Sequence, residues 1–95
     1  VHITFANAQV RDLCEKSRAA KRHLGDDAAA ILHSRLSDLS VAEGIEELPF
    51  VISMSGPEKG TIALQDGWLI ECTFSSGEPG KPVKGVKIDR IRLHE

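Results

Sequence analysis

The sequence predicts an α+β domain, with an N-terminal helical hairpin packed on a small antiparallel-rich β-sheet. Three observations carry this. Apolar residues recur at steps of three and four between Val10 and Leu39, and after Pro49 the period falls to two. Asp66-Gly67 then splits the second half with a tight-hairpin signal, because both turn positions favour positive φ. At 95 residues the chain has the size of one domain, residues 1–95.

The elements follow in order. His2-Ile3-Thr4-Phe5 is short and β-prone, a first strand. Asn7 can cap a helix by accepting a free N–H of its first turn. Val10, Leu13, Cys14 and Ser17 form its narrow stripe, with Arg11, Lys16, Arg18 and Arg22 around it. Gly25 ends this helix and Asp26 can cap the next, whose stripe is Ala28, Leu32, Arg35/Leu36 and Leu39, widened by Ile31. Two helices so closely joined make an antiparallel hairpin. Ser40-Val41-Ala42-Glu43 has the form of a capping box and suggests a short third helix through Glu47, stopped by Pro49. Phe50–Met54 and Thr61–Gln65 read as strands.

After the Asp66-Gly67 turn, Trp68, Ile70, Cys72 and Phe74 alternate with Leu69, Glu71, Thr73 and Ser75, a half-buried strand. Ser75–Gly85 holds three glycines after Ser76 and two prolines, and reads as a long loop. In the last strand Val86 and Ile88 share one parity, while Ile91 and Leu93 share the other. A bulge near Asp89 reconciles them and aims Arg90, Arg92 and His94 away from the core together. The expected order is β-α-α-(α)-β-β-β-β.

Composition sets the function classes. Apolar residues are 41% and charged residues 27%, so the chain can bury a core rather than stay disordered. No apolar run approaches the roughly 18 residues of a membrane span, and no signal peptide is expected from the first residues. Cys14 and Cys72 stand far apart, without metal-knuckle or redox spacing, and the reduced cytoplasm is the expected compartment. Charge is segmented: residues 1–25 carry +3, residues 26–80 carry −8 and residues 81–95 carry +3. A basic surface therefore requires the two chain ends to meet.

Gly56-x3-Gly60-Thr61 lacks the spacing, the Lys and the following helix of a phosphate loop, and reads as a hairpin loop. Both cysteines fall on core stripes, where Cys behaves as a small hydrophobe. The four histidines show no metal-ligand spacing, so no metal and no cofactor are expected; His23 and His33 fall on polar helix faces. Glu43, Glu46 and Glu47 read as a solvated acidic face. His94 differs in sharing an outward face with Arg90 and Arg92. Two cations beside an imidazole can hold phosphate and move a proton, which metal-free RNA cleavage requires. An ordinary basic edge strand has the same composition.

The chain resembles the RelE/ParE superfamily of bacterial toxins, in its HigB-like "killer protein" branch. The resemblance runs from Ile3-Thr4-Phe5-Ala6 through Val10-Arg11-Asp12-Leu13-Cys14-Glu15, Lys21-Arg22-His23-Leu24-Gly25, Arg35-Leu36-Ser37-Asp38-Leu39 and Glu47-Leu48-Pro49. It continues through Gly56, Lys59-Gly60, Asp66-Gly67-Trp68 and Ile91-Arg92-Leu93-His94-Glu95. It implies a RelE-like fold and a ribosome-dependent mRNA endonuclease (mRNA interferase) of a type II toxin–antitoxin system. The implied partners are a helix-turn-helix antitoxin (HigA-like) and mRNA on the ribosome, with no membrane; a homodimer is compatible with the multimeric complexes common in the family. The implied catalytic residues are Arg90, Arg92 and His94, with Lys59 and Lys87 on the RNA and His94 as proton donor.

The chain departs from the family pattern at the loop, which reads Ile52, Ser55, Gly56, Pro57 and Glu58 where the family carries a His, then Lys or Ser before Gly, then Asp-Arg. The family's Arg after the following strand's aromatic falls on Leu69 or on Glu71, and neither is basic. The alternative reading is a catalytically degenerate member of the same fold, acting as an antitoxin-binding or regulatory module.

Overall fold

A computed structural model describes residues 1–44, 47–75 and 83–94. The elements are β1 (His2–Phe5), α1 (Ala8–Glu15), α2 (Ser17–Leu24), α3 (Asp26–Val41), β2 (Ser53–Met54), β3 (Lys59–Ala63), β4 (Trp68–Ser75) and β5 (Gly85–Leu93). The three helices cover one face of a five-stranded mixed sheet of order β1-β5-β4-β3-β2, so the α+β class holds. Every pairing is antiparallel except β1 with β5. That parallel pair joins the two chain ends at the backbone.

The Asn7 carboxamide accepts from Val10 N–H at 2.9 Å and opens α1 as expected. The first helix does not run on to Gly25. At Lys16 the backbone is extended; its N–H closes α1 on Asp12 O at 2.8 Å, while its carbonyl receives Ala20 N–H at 3.1 Å and opens α2. The stripe thereby turns a corner: α1 lies on β1 and β5, whereas α2 lies along α3.

Gly25, at φ 90°, caps both neighbours, donating to Lys21 O and accepting from Ala29 N. Asp26 is thus the first residue of α3 rather than its cap. With Asp27 it places negative charge in the first turn, where the helix dipole favours it. Ser40 likewise does not cap a third helix. It belongs to α3, its hydroxyl donating to Ser37 O at 2.8 Å, while Glu47 reaches back to Glu43 N–H. Ile45 and Glu46 of that expected helix lie outside the described residues, as do residues 76–82 of the expected loop and Glu95.

The strand expected at Phe50–Met54 shrinks to Ser53–Met54, and the next moves two residues earlier, to Lys59–Ala63. Gly60 therefore sits inside a strand. A Cβ there would lie 2.8 Å from Ile52 Cγ2 and 3.0 Å from Phe74 Cε2. The Asp66-Gly67 turn has both residues at positive φ, 59° and 83°.

The core lies between helices and sheet. Ala28, Leu32 and Leu39 from α3 meet Ile62, Ile70, Cys72, Phe74, Val86, Ile88 and Ile91 from the strands. Leu93, expected inside, is 53% exposed at the end of β5. Among the described residues, no helix is long and apolar enough to cross a membrane.

Candidate phosphate-binding face

Helices take one side of the sheet, and the other carries its polar alternates. Between Glu71 and Cys72 the β4–β5 register shifts: Glu71 pairs with Arg90 and Cys72 with Ile88, leaving Asp89 as the extra residue. This is the bulge that the parity change requires. Ile88 and Ile91 both stay inside, and Arg90 and Arg92 both stand outside.

Three rows of side chains cross this open face. Thr4, Lys87, Thr73 and Lys59 form one; Arg90, Glu71, Thr61 and Ser53 form the next; Arg92, Leu69 and Ala63 form the third. Lys59 and Arg90 converge on a hollow of about 180 Å³, which Ser55, Thr61, Glu71 and Asp89 also line.

Carboxylates already answer most of these cations. Arg90 Nε donates to Glu71 Oε1. Arg92 Nε lies 3.2 Å from the same oxygen without an aligned hydrogen bond, so the two attract as charges, and its Nη1 donates to Leu93 O at 3.1 Å. The Arg90 hydrogen bond is the main reason that the Glu71 carboxyl titrates below its ordinary value; Arg92 adds to it, and partial burial opposes it. One row away, Lys87 Nζ lies 3.5 Å from Asp89 Oδ1, and Thr73 Oγ1 donates to Asp89 Oδ2 at 2.7 Å. Lys59 is exposed, with no ion-pair partner among the described residues.

The five expected residues are thus only partly assembled. Lys59, Lys87, Arg90 and Arg92 occupy adjacent rows. His94 follows β5 at the far end, its N–H donating to Gly67 O at 2.6 Å and its side chain exposed. At about 3.3 Å per residue it is some 13 Å along the strand from Arg90 and about 20 Å from Lys87, the bulge at Asp89 taking up one residue. His94 therefore follows Arg92 at the end of the strand and does not line the hollow. The cations of residues 1–25 do not join this surface, because they stand on the helical layer across the sheet.

Cross-strand register, which sequence reading did not supply, is what makes Glu71 the partner of both arginines. The only signal was its parity with Leu69 on the outward face. His33, expected to be solvated, is half-buried, with Nε2 enclosed and without a hydrogen-bond partner among the described residues, beside an open cleft of about 420 Å³ lined by Ile3, Phe5, Cys14 and Leu36. His23 is exposed but tilts against Trp68, with centroids 5.5 Å apart. Burial pushes the Cys14 and Cys72 thiols up to about 12, which suits packing and not nucleophilic attack. Among the described residues, no three His, Cys, Asp or Glu side chains gather as metal ligands. No family model, curated protein or solved structure matches this chain.

Proposed function

We propose that the chain is a RelE-like, HigB-branch toxin protein whose open sheet face grips RNA phosphates for mRNA cleavage on the ribosome. The observation that carries this is the bulge at Asp89, which turns Arg90 and Arg92 to the uncovered face beside Lys59. Cleavage without metal needs the substrate's 2′-hydroxyl to attack its own phosphorus. A 2′-O–P bond forms as the hydroxyl gives up its proton to water, the P–O5′ bond breaks, and a proton goes to the departing 5′-oxygen. Guanidinium groups stabilise the charge that builds on the phosphate oxygens. Arg90 and Arg92 take that role, Lys59 and Lys87 hold flanking phosphates, and His94 is the donor near Arg92. A helix-turn-helix antitoxin is the partner that this reading entails.

A second reading is favoured by Glu71. A carboxylate between the two arginines repels the substrate they would bind, which suits a degenerate member that keeps its antitoxin-binding role. Expression without the antitoxin separates the two. Growth arrest with ribosome-dependent mRNA cuts, abolished by Arg90→Ala with Arg92→Ala, is the expected result. Undiminished toxicity in that double variant removes the site; normal growth with tight antitoxin binding favours the second reading.

A further inference from the structure

Glu71 has an unusual position for an exposed-face carboxylate. It stands in the central strand of the open face, directly opposite Arg90, and its Oε1 serves both Arg90 and Arg92. That is the place a phosphate oxygen would take, because carboxylate and phosphate offer guanidinium the same acceptor geometry. We infer that Glu71 is a built-in competitor for the two arginines, an autoinhibitory contact that any phosphate ligand of the open face must displace. The inference rests on the RNA-phosphate reading of this face.

The competition is intramolecular. A carboxylate held on a neighbouring strand acts at an effective concentration of about millimolar or above, so a lone phosphate in dilute solution loses to it. A polynucleotide brings more than one anion. Lys59 and Lys87 flank Thr73 in one row, with β4 between their strands, so their backbones stand about 10 Å apart. Successive phosphates of a strand can meet the lysines and the arginines at once. Contacts at the lysines then hold the chain in place while it displaces Glu71. If the arginines are free in about a tenth of molecules, the apparent affinity for any ligand that needs them falls about tenfold.

The test measures binding of adenosine 5′-monophosphate and of a short unstructured RNA oligonucleotide at one fixed salt concentration. The proteins are the wild type, Glu71→Gln, Glu71→Thr, Glu58→Gln and the Arg90→Ala/Arg92→Ala double variant. Glu71→Thr guards against misfolding of the first variant, since Thr suits a central strand. Glu58 is exposed at the entry to β3 and outside the described ion pairs, so Glu58→Gln reports the general effect of removing one negative charge.

The inference expects Glu71→Gln and Glu71→Thr to bind both the mononucleotide and the oligonucleotide about tenfold more tightly than wild type. Equal mononucleotide affinity in wild type and both Glu71 variants overturns it, as does an equal gain from Glu58→Gln. Either of those results leaves the RNA reading intact, provided that the double variant loses the oligonucleotide. Oligonucleotide binding that survives Arg90→Ala/Arg92→Ala overturns both.

Discussion

Strands β4 and β5 present two faces built from alternate residues of the same segments, and the two obey different rules. The inner face is made of Ile70, Cys72, Phe74, Val86, Ile88 and Ile91, all nearly inaccessible. Each contributes by leaving water, a non-directional effect that depends on being inside and little on which neighbour it meets. The outer face holds Leu69, Glu71, Thr73, Lys87, Arg90 and Arg92. Its electrostatics depend wholly on who stands opposite whom. Shifting β5 by one row would leave the same composition but pair Arg90 with Thr73 instead of Glu71.

Substitutions can break that comparison, beginning with the inner face. Ile70→Ala is expected to cost about 2–5 kcal/mol in urea unfolding, because a fully enclosed side chain leaves a cavity. Arg92→Ala, on the other face, should cost below about 1 kcal/mol. Comparable losses would end the distinction. Gly60→Ala comes next. Its new methyl would press on Ile52 and Phe74, and about 1–3 kcal/mol of destabilisation should appear as a lower urea midpoint. Gly67→Ala meets no neighbour but forces a side chain onto φ 83°, for roughly 1 kcal/mol; no loss there would mean the hairpin can relax its turn.

The smallest effect sharpens the outer face. Glu71 titrates lower in the folded chain than unfolded, so its contribution is fully present above the ordinary carboxyl value of about 4.3 and disappears as pH falls through the lower folded value. The stability difference between wild type and Glu71→Gln should therefore be flat above about pH 5, shrink at more acidic pH and weaken with added salt. Arg90 is 64% exposed, which keeps this difference modest. A difference that grows on acidification would show that Glu71 is not held ionised by the arginines.

Local patterns reached a good part of this fold. Asn7 capped α1, Asp66-Gly67 made its turn, and the parity change across Asp89 required the bulge that aims Arg90 and Arg92 outward. The break at Lys16 was not legible, because Cys14-Glu15-Lys16-Ser17 contains no breaker and a continuous helix would keep the same stripe. Gly25 took the capping role assigned to Asp26 because its positive φ lets one residue close α2 and open α3. Of the candidate site, the identities and outward direction of the cations were readable. The answering carboxylates and the distance between His94 and the hollow were not, since both are properties of strand pairing.

By itself the sequence determined the α+β class, the inner face and the outward side of the C-terminal cations. Those follow from periodicity and turn chemistry, which act over a few neighbouring residues. Only the tertiary structure decided that β1 lies parallel to β5, that Lys59 meets Arg90 across a hollow and that Glu71 stands between two arginines. Such contacts join residues far apart in the chain, and their register is chosen by the packing of the whole sheet against its helices.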